Sequence, residues 1–183
     1  MKTSRVAALL TTFAVMGALP LFAQQKRVSP HETISHRIDR KLVTVVYGRP
    51  YTKDPKSGDP RKIWGTLVPY GKVWRLGSDE ATLLVTEAPL QFGDTAVPPG
   101  AYSLYMLPDE TGASKLIINK QVGQWGTVYD EKQDLARIDL KKDAADKPAD
   151  QLTLAIEAPK DGGGLLRITW EDTTFTVPFT VKK

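Results

Sequence analysis

The chain has 183 residues, 41% hydrophobic and 25% charged, with a formal net charge of +4 and no cysteine. The missing thiols exclude thiol catalysis, disulfide redox chemistry and cysteine metal sites. Lysine and arginine are scattered among acids, so there is no dense basic footprint and no nucleic-acid partner is expected.

In chain order, Lys2 and Arg5 precede a mostly apolar run from Val6 to Leu19, broken by Pro20 and followed by Leu21-Phe22-Ala23. This pattern predicts a signal peptide over 1–23 with cleavage after Ala23, since the apolar stretch is too short to span a bilayer. The expected mature chain is exported, periplasmic or secreted, with no membrane span after cleavage. Losing Lys2 and Arg5 lowers its formal charge from +4 to +2 (4 − 2). Residues 24–183 suffice for one domain with a core of its own.

That domain reads as strand after strand. "KLVTVVYG" (41–48), "ATLLVTE" (81–87), "AYSLYML" (101–107) and "SKLIINK" (114–120) are densely apolar and suit central strands. "LARIDLK" (135–141), "QLTLAIE" (151–157), "LLRITWE" (165–171) and "FTVPFTV" (175–181) alternate with a period of two, the mark of half-buried antiparallel strands. Pro178 has no amide hydrogen, so the last strand is expected at an edge, or with its proline unpaired. "KKDAADKPAD" (141–150) reads as a solvated connector. Nine or ten short strands with turns at Gly93-Asp94, 98–100, 108–112 and 161–164 predict an all-β fold: a single antiparallel β-sandwich with long aromatic-rich loops, with a β-barrel as the alternative.

Two connections stand apart. Residues 49–80 hold Tyr51, Trp64, Tyr70 and Trp74; residues 119–134 hold Trp125 and Tyr129. Three of the four tryptophans therefore fall in loops. Long loops in compact domains are functional or disordered, and aromatic content argues against disorder.

The motifs "YGRP" (47–50), "RKIWGTLVPYGKVWRLGSDEAT" (61–82), "PPGAYSLYMLP" (98–108) and "LIINKQVGQWGTVYDEKQDLARIDL" (116–140) resemble a bacterial family of exported proteins, domain of unknown function 2911. Trp74, Arg75, Gly77, Glu80, Ala81 and Thr82 match one part of its pattern; Gly100, Tyr102, Ser103 and Leu104 match a second. Asn119, Lys120, Trp125, Gly126, Tyr129 and Asp130 match a third. Members often carry Thr and Asn where this chain has Leu76 and Asp79, and residues 51–62 form a longer loop than in many relatives. The resemblance implies export and a β-rich fold. It brings no reaction, cofactor or catalytic residue.

Residue chemistry must then supply the function. Tyr47, Arg49, Trp64, Trp74, Arg75, Glu80, Trp125 and Tyr129, beside Tyr51, have the character of a site that stacks a ring-like ligand next to cationic anchors. The competing reading is a packed end of the sandwich, with an Arg75–Glu80 ion pair holding a loop. His31 and His36, five apart on an extended segment, face opposite sides and do not chelate one metal from a single strand. The acidic pairs Asp79-Glu80 and Asp130-Glu131 have no facing partner that would support glycoside hydrolysis. "DPKSGDP" (54–60) lacks the full ligand series of a calcium loop and reads as a turn. There is neither a nucleophile elbow nor a phosphate-binding glycine loop. The expectation is non-catalytic binding of a small organic or saccharide ligand, with no cofactor, metal or catalytic residue assigned. The alternatives are a hydrolase using Glu80 or Asp79 with His31 or His36, possibly metal-assisted, and a structural envelope protein.

Overall fold

The computed structural model describes residues 27–182. The expected signal peptide, 1–23, lies outside them. Ten strands follow one another: β1 (His31–Ile38), β2 (Lys41–Gly48), β3 (Thr82–Thr86), β4 (Leu90–Phe92), β5 (Thr95–Val97), β6 (Gly100–Leu107), β7 (Lys115–Asn119), β8 (Asp134–Asp139), β9 (Lys141–Glu157) and β10 (Gly164–Val181). They form two sheets, ordered β1-β2-β3-β6-β7-β8 and β5-β4-β10-β9, with antiparallel pairing throughout. Both sheets are open, so the fold is the sandwich and not the barrel. No helix among the described residues is long and apolar enough to cross a membrane.

The core is the set of inward positions that the alternation marks. Val43, Val45, Leu84, Leu104, Leu116 and Ile118 come from one sheet, and Leu152, Leu154, Ile156, Leu166, Ile168 and Trp170 from the other. Side chains two apart on a strand share a face, so each strand adds a row to the same apolar layer. Phe175, Val177 and Phe179 continue that row, while Pro178 and Thr180 are exposed.

Three details differ from or refine the sequence reading. β4 and β5, three residues each, are too short for alternation to reveal, and only the turn between them was legible. The stretch 141–150 is solvated as expected, yet it belongs to β9: Lys141–Ala144 pair with Thr176–Thr173, and pairing resumes at Ala149 opposite Glu171. Residues 145–148 form the excursion between, and Pro148 sits where no ladder donor is required. The last strand is central in its sheet. Its pairing with β9 ends at Thr176 and its pairing with β4 begins at Thr180, so Pro178 is unpaired without being at an edge.

Candidate functional site

The two aromatic loops meet. Glu80 and Trp125 form an isolated antiparallel bridge. The Gly126 amide donates to the Asp79 carbonyl at 2.9 Å, and the Ala81 amide to the Gln124 carbonyl at 3.2 Å. Beside this seam lies a cleft of about 720 Å³ whose lining includes Trp74, Arg75, Asp79, Tyr105, Tyr129 and Trp170.

Trp74 is fixed at both ends. Its amide and carbonyl exchange hydrogen bonds with Met106 of β6 at 2.7 and 2.8 Å. Its indole stacks on Trp170 of β10, centroids 5.7 Å apart at 18°, and Trp64 abuts it edge-on at 6.0 Å. Trp64 also contacts Trp170 at 6.4 Å and Phe175 at 5.2 Å. Edge-to-face and offset contacts of this kind are favoured by the ring quadrupoles and give the wall a defined shape. Trp64 thus supports Trp74 and does not itself line the cleft.

The corner after Trp74 is built by backbone constraints. Leu76 and Asp79 both have left-handed backbones, φ 52° and 65°. A short polar residue tolerates that conformation, which suits Asp79. Thr82 Oγ1 donates to the Leu76 carbonyl at 2.8 Å, and the Ser78 amide to the Gly48 carbonyl at 3.3 Å. At Gly48 a Cβ would lie 2.4 Å from the Ser78 carbonyl oxygen, and at Gly126 it would lie 2.2 Å from Arg75 Cδ. Glycine at position 48 lets the corner pack on the end of β2, and glycine at 126 lets the two loops close on each other.

This turn sets Arg75 against backbone and not against Glu80. Arg75 Nε donates to the Gly77 carbonyl at 3.3 Å and Nη1 to the Asp79 carbonyl at 3.5 Å. Glu80 instead pairs with Arg27, and its Oε2 lies 3.7 Å from His31 Nε2. His31 Nε2 donates to Asp79 Oδ2 at 3.1 Å. The anticipated Arg75–Glu80 pair is absent because the double left-handed turn presents two carbonyls, not the carboxylate, to the guanidinium.

Tyr129, also in the lining, donates to Asp134 Oδ2 at 2.6 Å and packs on Tyr105 at 4.9 Å. Burial, then the bond to Asp134, pushes the Tyr129 hydroxyl up to about 12. Asn119 anchors this loop from the end of β7: its Nδ2 donates to the Asp130 carbonyl and to Asp134 Oδ1, both at 2.9 Å, and its Oδ1 accepts the Gln121 amide at 2.9 Å. The Asp130 carboxylate caps the single turn of 3-10 helix at Glu131–Gln133.

The other expected site residues lie elsewhere. Tyr47 continues the inward row of Val43 and Val45 and is 1% exposed. It donates to Glu32 Oε2 at 2.6 Å and accepts the Leu154 amide at 2.9 Å. Burial, then the Glu32 bond, holds its hydroxyl far above the ordinary value. Arg49 donates to the Leu152 carbonyl and to Thr153 Oγ1, both at 3.0 Å, and pairs with Glu32 at 3.3 Å. Both residues join β2 to β9. Trp125, 49% exposed, stays outside the cleft although Gly126 and Thr127 after it line the wall. His36 is exposed on β1 opposite Val43 and does not approach His31. Among the described residues no three of His, Asp and Glu are arranged to hold a metal ion. At "DPKSGDP", Asp54 Oδ1 accepts the amides of Lys56 and Ser57 at 2.8 and 3.1 Å, which makes it a turn.

Among the lining residues that sequence reasoning missed are Arg61, Lys72, Tyr105 and Trp170. Tyr105 and Trp170 sit on strands and read as core, and Arg61 and Lys72 read as ordinary surface cations. The one usable signal was their neighbourhood, since Arg61 and Lys72 lie in the same aromatic loop as Trp64 and Trp74.

A family model described as "Protein of unknown function (DUF2911)" matches residues 29–179, which span both loops, β1 to β9 and all but the last two residues of β10. No curated protein and no solved structure matches the chain.

Proposed function

This chain belongs to the DUF2911 family, a membership that carries no activity with it, and we propose from the cleft that the protein binds a small organic or saccharide ligand without transforming it. The observation behind this reading is the meeting of the 49–80 and 119–134 loops around a cleft of about 720 Å³, a volume in the range of small-molecule sites. Trp74 and Tyr129 offer apolar faces across it and Arg75 offers a cation. Chemical-shift mapping with a fragment library tests the proposal. Binding fragments are expected to move the amides of residues 72–79 and 126–129, and to bind Trp125→Ala unchanged. Shifts confined to the outer face of Trp125, or no shifts from any fragment, would refute it.

A hydrolase is the second reading, favoured by the 3.1 Å contact between His31 and Asp79. The order of the two groups speaks against it. Asp79 lines the cleft and His31 does not, whereas a histidine general base must reach the reacting proton itself. His31 is better described as the group that orients Asp79. Turnover of chromogenic esters or glycosides that disappears in His31→Gln and Asp79→Asn would reverse this assignment. The charged and apolar N-terminal stretch supports export to the periplasm or beyond, and a mature N-terminus at Gln24 in the exported fraction would establish it.

A further inference from the structure

We infer that the ligand of this cleft is an organic anion: a flat apolar body carrying a carboxylate-like or phosphate-like head. This rests on the binding role proposed above and narrows it. Three cations line the cleft, Arg61, Lys72 and Arg75, against one carboxylate, Asp79. That carboxylate accepts from His31 and keeps its charge, so the cations exceed it by two (3 − 1). Elsewhere Arg27, Arg49, Arg137 and Arg167 each have a carboxylate within ion-pair distance, while Arg37 and Arg40, exposed around the β1–β2 turn, have none among the described residues. Among the described residues Arg61 and Arg75 donate only to backbone carbonyls, of Tyr51, Gly77 and Asp79. A carbonyl satisfies a donor and leaves the charge in place. The two Arg75 contacts, at 3.3 and 3.5 Å, are also at the long limit of hydrogen bonding.

Two further donors in lining residues, Arg61 Nε and Trp170 Nε1, are buried without a partner. They are shut off from solvent and do not touch a ligand directly; Arg61 Nε belongs to one of the three cations, whose combined charge sets the field of the cleft. Beside rings and a partly apolar wall, such a field is weakly screened and favours a negative group.

The same lining decides between the two ligand classes. A neutral saccharide is held by a set of donors and acceptors matched to its hydroxyls. This cleft contains no Asn, Gln or Glu and only one Asp. Apart from Asp79 its side-chain acceptors are hydroxyls, those of Ser29, Ser78, Thr127 and three tyrosines; its cations are in excess and its aromatic area is large. An anionic head beside Lys72 and Arg75, with a ring against Trp74 or Tyr129, uses all three properties.

The test is a comparison of matched probes by ligand-observed NMR: 1-naphthylacetate against 1-naphthylacetamide, indole-3-acetate against indole-3-acetamide, and phenyl phosphate against phenol. Each anion is expected to bind at least ~10-fold more tightly than its neutral partner, because charge-assisted hydrogen bonds replace neutral ones. The gap should narrow between about 50 mM and about 500 mM salt, as screening shortens the reach of the exposed cation. Lys72 is exposed, so Lys72→Gln keeps the fold and isolates charge. It should cut anion affinity several-fold and neutral-probe affinity by less, with Arg75→Gln doing the same more strongly. Equal binding of anions and neutrals, or a preference that survives the double substitution, would overturn the anion assignment and leave the binding role standing. Failure of all six probes to bind would overturn both. Preference for the phosphate over the carboxylates would identify the head group within the proposed class.

Discussion

Two regions of this molecule contain the same ingredients and differ in what has been done with them. In one, Tyr47, Arg49 and Glu32 join β2 to β9. The tyrosine hydroxyl and the guanidinium both reach Glu32, and the remaining donors end on β9. In the other, Trp74, Arg75 and Asp79 stand at a cleft. There the guanidinium is held by long contacts to carbonyls and the carboxylate is turned to a histidine. The first region is closed because Tyr47, Arg49 and Glu32 are each engaged by partners inside the protein. The second retains charge that the protein does not neutralise. An aromatic–arginine–carboxylate combination is therefore a fastening or a site according to the bookkeeping of its hydrogen bonds, not its composition.

The difference can be broken most forcefully at the hinge between the regions. Gly48 follows Tyr47, and a Cβ there would meet the Ser78 backbone carbonyl at 2.4 Å. Gly48→Ala should cost about 3 kcal/mol in denaturant unfolding, since backbone cannot step aside as a side chain can. A cost near zero would mean that the corner is looser than its geometry implies. Next comes the closed region itself. Tyr47→Phe leaves the Leu154 amide without its acceptor and should cost about 2 kcal/mol, while probe binding at the cleft stays unchanged. Loss of binding in that variant would show the two regions to be coupled.

A smaller effect concerns the cleft wall. The Tyr129 hydroxyl titrates at about 12 against an ordinary 10.0. A folded value above the unfolded one means that its stabilisation is complete below the unfolded value and is lost as pH rises through the folded one. Stability should therefore fall between pH 10 and 12, and the Tyr129 phenolate of the folded protein should absorb as pH rises through about 12. Tyr129→Phe should flatten that part of both curves. The smallest change is expected at Arg75, where Arg75→Gln should alter stability by no more than ~0.5 kcal/mol because no internal charge pair is lost. A loss of about 2 kcal/mol or more on unfolding would make Arg75 a fastening like Arg49 and remove the contrast on which the site rests.

How much of this was readable beforehand follows from the range of each interaction. The strands at 41–48, 151–157, 165–171 and 175–181 announce themselves because alternation is a local property, repeated every second residue. β4 and β5 do not, because three residues carry too little of it. The long loops were recognisable by their length and rings, and so were Trp74, Arg75 and Tyr129 as cleft residues. Tyr47 and Arg49 were grouped with them on residue type, yet the register of β2 against β9 turns them into a closed contact. No local signal carries that register, since Tyr47 and Leu154 are 107 positions apart.

By itself, then, the sequence determined the layered β architecture, the inward rows of the core and the two loops that break the pattern, all set by periodicity and turn chemistry within a few residues. Tertiary structure alone decided that those loops meet across a glycine contact, that Trp170 and Tyr105 join the cleft, and that Arg61 and Arg75 lack carboxylate partners among the described residues. Those outcomes depend on which distant groups satisfy one another, and pairing across the whole chain is fixed only when the sheets are in register.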